Sequence, residues 1–224
     1  MTSTYPRPPI DAVWEAENNF YLNGHPSRIG KLLAHYEIYQ KIADLPGAVV
    51  ECGVFKGASL MRFASFRHYL ENATSRPIIG FDAFGHFPQE QLQTEDDRAF
   101  AERFEGSSGV GILPDTLNDC LSDKGFGNVQ LIGGDVLETV DAYLEKNLHL
   151  RVALLHLDMD VYKPTQHCLE RFYDRLVPGG VVVIDDYGTV GGASQATDEF
   201  IARHGLMLAK TRFYTVPAYF VKPA

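Results

Sequence analysis

Five short, largely apolar runs, at residues 48–52, 77–81, 129–132, 152–157 and 181–184, each lead into a polar or glycine-containing end and then an amphipathic stretch. A strand that is apolar at successive positions has no face suited to water and must be covered on both sides. Such strands alternating with helices predict an α/β chain: a mostly parallel sheet, helices on both faces and right-handed crossovers. The tail changes character. Residues 206–210 and 215–221 read as two neighbouring strands joined by a turn around Arg212 and Phe213, which predicts a closing antiparallel hairpin at the sheet edge and seven strands in all.

Two segments depart from this rhythm. Residues 1–26, with Pro6, Pro8, Pro9, Pro26, Asn18, Asn19, Asn23 and Gly24, suit an arm more than a core element. A helix is expected over 28–45, where Ile29, Leu32, Leu33, Tyr36, Tyr39 and Ile42 recur at threes and fours, with Ser27 as its cap and Pro46–Gly47 as its stop. Residues 1–45 are thus an arm and a lid helix. Between Phe84 and Thr116 the chain is rich in Gln, Glu, Asp, Gly and Ser. It reads as a loop insertion over 85–118 after the second strand, with a helical patch at 98–104 and a flexible SSGVG at 107–111. Ligands of open α/β sheets bind beyond the carboxyl ends of the strands, so an insertion there is placed to cover a substrate.

At 224 residues the chain has room for one domain with such decorations, spanning 1–224. A hydrophobic share of 45% with 22% charged residues excludes disorder. Lys and Arg total 20 against 29 Asp and Glu, and the resulting net charge of −9 disfavours a nucleic-acid partner. Cys52, Cys120 and Cys168 lack paired spacing and read as reduced, buried residues. No run approaches the roughly 20 apolar residues of a membrane span, and the start lacks a signal peptide, so no membrane partner and a cytoplasmic location are expected. The aromatic residues Trp14, Phe20, Tyr21, Tyr36 and Tyr39 make a homo-oligomer plausible.

The first strand runs into E-x-G-x-x-x-G-x-S, carried by Glu51, Gly53, Gly57 and Ser59. Gly53 permits a tight strand-to-helix turn, and Gly57 lets backbone approach a ligand. The spacing is neither that of a dinucleotide turn nor that of a P-loop. Glu51 would repel a pyrophosphate but would accept hydrogen bonds from an ammonium, which S-adenosylmethionine carries without any phosphate. Asp82 ends the second strand, where acids bind ribose hydroxyls. Gly134–Asp135 follow the third, where a carboxylate can lie near an adenine amino group.

The fourth and fifth strands end in acids: Asp158 and Asp160, then Asp185 and Asp186. Four carboxylates at one sheet edge raise each other's pKa unless a cation neutralises them. A hard divalent ion fits, and Mg²⁺ is favoured over Zn²⁺ because no Cys or His cluster accompanies the acids. Alternation places His156 with Asp158 and Asp160, which makes it a second candidate base.

These motifs, VVECGVFKGASL at 49–60, IIGFDAFGHFP at 78–88, LHLDMDVYKPT at 155–165 and VPGGVVVIDDYG at 177–188, resemble the macrocin O-methyltransferase (TylF-like) family. LLAHYEIYQKIADLPGAVVECGVFKGASLM at 32–61 is similar in style to dTDP-6-deoxy-L-hexose 3-O-methyltransferases. The resemblance implies a class I methyltransferase, Rossmann-like fold with S-adenosylmethionine as donor and a small-molecule sugar hydroxyl as acceptor. It further implies Asp158, Asp185 and Asp186 as ligands of a Mg²⁺-like ion, and Asp160 as general base. Methylation of a catechol or phenol is the rival among enzymes, and a non-catalytic nucleoside-binding protein the rival outside them.

Overall fold

A computed structural model describes residues 9–92 and 94–224. Pro6 and Pro8 of the expected arm and Gln93 of the insertion lie outside them. Seven strands form one sheet in the order β3-β2-β1-β4-β5-β7-β6. They are β1 (Ala48–Cys52), β2 (Ile78–Asp82), β3 (Val129–Gly133), β4 (Val152–Leu157), β5 (Leu176–Ile184), β6 (Ala209–Lys210) and β7 (Ala218–Val221). Strands β1 to β5 pair in parallel, and β7 lies antiparallel to both β5 and β6. The expected hairpin is present, with β7 on the inside. Its strands are shorter than the apolar runs, and β5 starts earlier, carried past Gly179 (φ +80°) by a register shift against β4.

The described residues hold eight α-helices, two before the first strand and six between strands: α1 (Val13–Asn23), α2 (Ser27–Gln40), α3 (Ala58–Leu70), α4 (Glu95–Ser108), α5 (Pro114–Asp123), α6 (Val136–Lys146), α7 (Tyr162–Tyr173) and α8 (Gly191–His204). Strand alternation divides the core in two. Val50, Cys52, Leu155, Leu157, Val182 and Ile184 pack with α6, α7 and α8 on one face. Val49, Leu154, Val181 and Val183 pack with α2, α3 and α5 on the other. The chain moves outward from β1 through β2 to β3, then crosses back to β4 beside β1. The strand order therefore reverses between β1 and β4, where a crevice opens at the carboxyl ends.

Four expectations are corrected. The arm holds a helix, α1, although none of its residues is buried. Ser27 is the first residue of α2 and not its cap; Pro26 takes that place, and the Ser27 hydroxyl instead lies 2.8 Å from His25 Nδ1. The 85–118 interval is mostly helical: Thr94 and Asp97 form a reciprocal capping box that starts α4, and Ser107–Ser108 belong to its last turn. Cys52 and Cys168 are buried, but Cys120 is only partly covered. No helix among the described residues is long and apolar enough to cross a membrane.

Candidate functional site

Strand alternation on β1, β4 and β5 aims Glu51, His156 and Asp185 towards α2. Glu51 and His156 are register partners on adjacent strands. His156 Nδ1 lies 3.0 Å from Glu51 Oε1, and its Nε2 lies 3.3 Å from Asp185 Oδ1. A ring facing carboxylates through both nitrogens must donate from both, which makes it an imidazolium. Burial opposes that charge, but the bonds to Asp185 and Glu51 outweigh it and push the His156 pKa up to about 10. His35, from α2, places Nε2 3.4 Å from the same Asp185 oxygen. Here burial wins, lowering its pKa to about 4 and leaving a neutral ring.

Above this layer lies a cavity of about 320 Å³ at the carboxyl ends of β1, β2, β4 and β5. Gly53, Ser59, Asp82, Gly134, Asp158, Asp160, Asp185 and Asp186 line it together. The ladder continues one residue past β4 and β5: Asp158 N donates to Cys52 O and Asp185 N to Leu157 O, both at 2.9 Å. The backbone then turns. Asp160 sits at φ +64°, its carbonyl accepting from Ala193 N at the start of α8, so strand alternation does not extend to Asp160.

Four aspartates in so small a space perturb one another. Burial, then Asp185 and Asp186, raise the Asp158 carboxyl well above the usual range. Burial, then Asp158 and Asp185, push Asp160 up to about 8. Burial, Asp160 and Asp185 likewise raise Asp186. Asp185 goes the other way: burial opposes its charge, but His156, His35 and Lys31 hold it well below the usual range. Lys31, from α2, donates to Asp185 Oδ2. Ligand oxygens of Asp158, Asp185 and Asp186 lie within 4.8 Å of one another. Asp186 Oδ2 is buried with no partner among the described residues. An all-oxygen set with an orphaned lone pair fits a hard divalent cation.

The remaining expected residues have these neighbours around the site. A Cβ on Gly53 (φ +92°) would lie 1.8 Å from Asp158 O, so this glycine lets the β1 turn pass against the end of β4. Gly57 (φ +79°) stays outside the cavity lining and faces Leu117. Asp82 pins the glycine turn to β2, its Oδ2 accepting from Val54 N at 2.7 Å and Phe55 N at 2.8 Å. Asp135 caps α6 through Leu137 N and accepts from Gln91 Nε2, and it does not line the cavity. Glu51 and His156 are fully buried and also absent from the lining. The hydroxyls of Tyr162 and Tyr187 donate to Glu199 and Asp198 at exposed positions.

Arg28, Lys31, His35 and Arg62 went unnoticed in the sequence. Their signal is a polar stripe at 28, 31 and 35 on one face of an otherwise apolar helix, which implies that the stripe faces something charged. The insertion packs against the turn after β1: Lys56 donates to Ser108 O, Ile112 N to Phe55 O, and the rings of Phe55 and Phe104 meet 5.1 Å apart, tilted by 58°. Helix α2 covers the β4–β5 side.

Residues 28–222 match the macrocin-O-methyltransferase (TylF) family. A Streptomyces olivaceus tetracenomycin rhamnosyl 4′-O-methyltransferase is 28% identical over 76% of this chain and 64% of its own length. Mycinamicin III 3″-O-methyltransferase from Micromonospora griseorubida is 28% identical over 72% of the chain and 63% of its own. The chain thus spans less than two thirds of these curated relatives. Among solved structures, the calicheamicin methyltransferase CalS11 superposes with a TM-score of 0.73 at 26% identity, covering 97% of this chain and 87% of that one.

Proposed function

Because the chain belongs to the macrocin O-methyltransferase family, we propose that it transfers the methyl group of S-adenosylmethionine to a hydroxyl of a sugar carried by a nucleotide or a natural product. The observation that carries this reading is the convergence of Asp158, Asp160, Asp185 and Asp186 on the same cavity that the Gly53 turn, Asp82 and Gly134 line. As their names state, one similar protein methylates a rhamnosyl-tetracenomycin at a 4′ oxygen and another methylates mycinamicin III at a 3″ oxygen.

The glycine turn and Asp82 hold the nucleoside half, and α4 and Phe104 shield it from water. The acceptor lies under α2, on the β4–β5 side. A divalent ion held by Asp158, Asp185 and Asp186 lends the site, when bound, a Lewis acid that acidifies a hydroxyl. Asp160 takes the hydroxyl proton, the oxygen forms its bond to the methyl carbon, and the carbon–sulfur bond breaks to leave S-adenosylhomocysteine. With a pKa near 8, Asp160 holds a proton at neutral pH until positive charge enters the cavity; the cofactor's sulfonium brings such a charge. His156 is sealed beneath the site between Glu51 and Asp185, which favours Asp160 as base and gives His156 the work of orienting Asp185. The exposed Trp14, Tyr21 and Leu22 of α1 support pairing with a second copy, which light scattering checks.

The test is methyl transfer to a panel of nucleotide deoxysugars, glycosylated natural products and catechols, with Mg²⁺ and with chelator. Sugar methylation lost in Asp160→Asn and in chelator is expected. Turnover with catechols alone replaces the acceptor class, and turnover indifferent to chelator removes the metal from the scheme.

A further inference from the structure

Helices α2 and α3 form one wall of the cavity and bring Arg28, Lys31 and Arg62 to it. Lys31 is engaged by Asp185. Arg28 and Arg62 have no side-chain hydrogen bond or ion pair among the described residues, although both line the same cavity. Arg62 is half-buried, so its guanidinium has lost water without gaining a hydrogen bond; Asp185, Glu51 and Asp158 attract it only from a distance, and Arg28 repels it. Two neighbouring guanidiniums with no hydrogen-bonded partner are a poor arrangement for the protein alone and a good one for a ligand anion, which both can bond.

The position restricts what that anion is. Arg62 lies one helical turn beyond Ser59, which also lines the cavity, so the two share a face of α3 between the nucleoside end and the aspartates. The opposite wall, with Asp158, Asp160, Asp185 and Asp186, repels any carboxylate. A ligand spanning from Asp82 towards the aspartates must therefore turn an anionic group to the α2–α3 side. S-adenosylmethionine has one such group, at its amino-acid end. We propose that Arg62 and Arg28 clamp an anionic ligand group, the carboxylate of the methionine half of S-adenosylmethionine, with Ser59 as the adjoining polar contact. This rests on the cofactor assignment above. The other source of the same chemistry is a phosphate of a nucleotide-linked acceptor.

The experiment is calorimetric titration of the full chain with three probes: S-adenosylhomocysteine, 5′-methylthioadenosine, which lacks the amino-acid end, and dTDP. Arg62→Gln and Arg28→Gln are each expected to weaken S-adenosylhomocysteine roughly 10- to 100-fold, the worth of a charge-assisted hydrogen bond, and to leave 5′-methylthioadenosine in place. Arg62→Lys, which keeps the charge and the fold but loses the fork, should fall between. Loss of dTDP affinity with S-adenosylhomocysteine unaffected would overturn the carboxylate assignment in favour of a phosphate. Unchanged affinity for all probes would overturn the clamp. A wild-type chain that ignores S-adenosylhomocysteine while remaining folded would overturn the cofactor assignment itself, and the clamp with it.

Discussion

The sheet carries a buried charged cluster at each of its edges, and the two are built on opposite terms. At the amino edge, Arg67 donates to the carbonyls of Arg76, Asn128 and Gly127. Arg76 forks onto Glu71 and also reaches the carbonyls of Ile42, Ala43 and Gly47, while Tyr39 donates to Glu71. None of these side chains has an orphaned buried atom among the described residues. At the carboxyl edge, Asp158, Asp160, Asp185 and Asp186 meet Lys31 and His156, and His35 Nδ1, Glu51 Oε2 and Asp186 Oδ2 have no partner among the described residues. Burial alone does not separate them: Arg67, Arg76 and Tyr39 are buried at one edge and Glu51, His156 and Asp185 at the other, where Asp158, Asp160 and Asp186 are half-buried against the cavity. The amino edge closes its own hydrogen bonds and ties strands to helices, whereas the carboxyl edge has more negative charge than its own cations neutralise. A buried polar group left unpaired is costly, so the deficit marks a place that something else completes.

The largest expected effect separates chemistry from stability. Asp160→Asn should lower methyl transfer by about 10²- to 10⁴-fold, the usual worth of a positioned general base, without lowering the melting temperature. A variant that unfolds instead would place Asp160 with the structural cluster. Next, Arg76→Ala should destabilise the chain by about 3–5 kcal/mol in urea titration, because Glu71 is left buried without its partner. A loss of activity at unchanged stability would break the contrast from the other side.

A third outcome concerns pH in metal-free protein. Asp160 is raised to about 8 and His156 to about 10, so the folded state binds more protons than the unfolded chain between about 4 and 10. Stability from the His156 imidazolium is fully present below its unfolded value of 6.5 and is lost as pH rises towards 10; the Asp160 carboxyl, still protonated in the folded state, costs stability progressively as pH rises from its unfolded value of 3.8 to about 8, and that cost stays in full above it. Melting temperature should therefore fall from pH 6 to pH 9, and Mg²⁺ should restore part of it. A rise over that interval would mean that the carboxyl edge is already neutralised. The smallest effect is at Lys31. Lys31→Met should cost about 1–2 kcal/mol in chelator, less in Mg²⁺, since Lys31 is partly exposed and its pair is screened. Manganese binding followed by electron paramagnetic resonance should tighten in this variant; weaker binding would show that Lys31 supports the ion rather than competing with it.

Much of this was legible because it is local. The apolar runs marked β1 to β5 within a residue or two at most ends, and their final acids marked the edge where the cavity lies. The insertion was read as a loop because α4 is poor in apolar residues, although Thr94 and Asp97 already announced its start. Asp135 is expected at the cofactor by its place after β3; the fold adds what the sequence does not show, that its Oδ1 caps α6 through Leu137 N and braces Gln91.

What the sequence determined by itself was the parallel sheet, its antiparallel close, the glycine turn and the acid-tipped strands, since each depends on residues adjacent along the chain. What only the tertiary structure decided was the company those acids keep. Lys31 and Asp185 stand 154 residues apart, and Glu51 and His156 stand 105 apart. No periodicity spans such distances. Strand order brings β1, β4 and β5 together, α2 folds across their ends, and low-dielectric packing then makes one histidine a cation and its neighbour neutral.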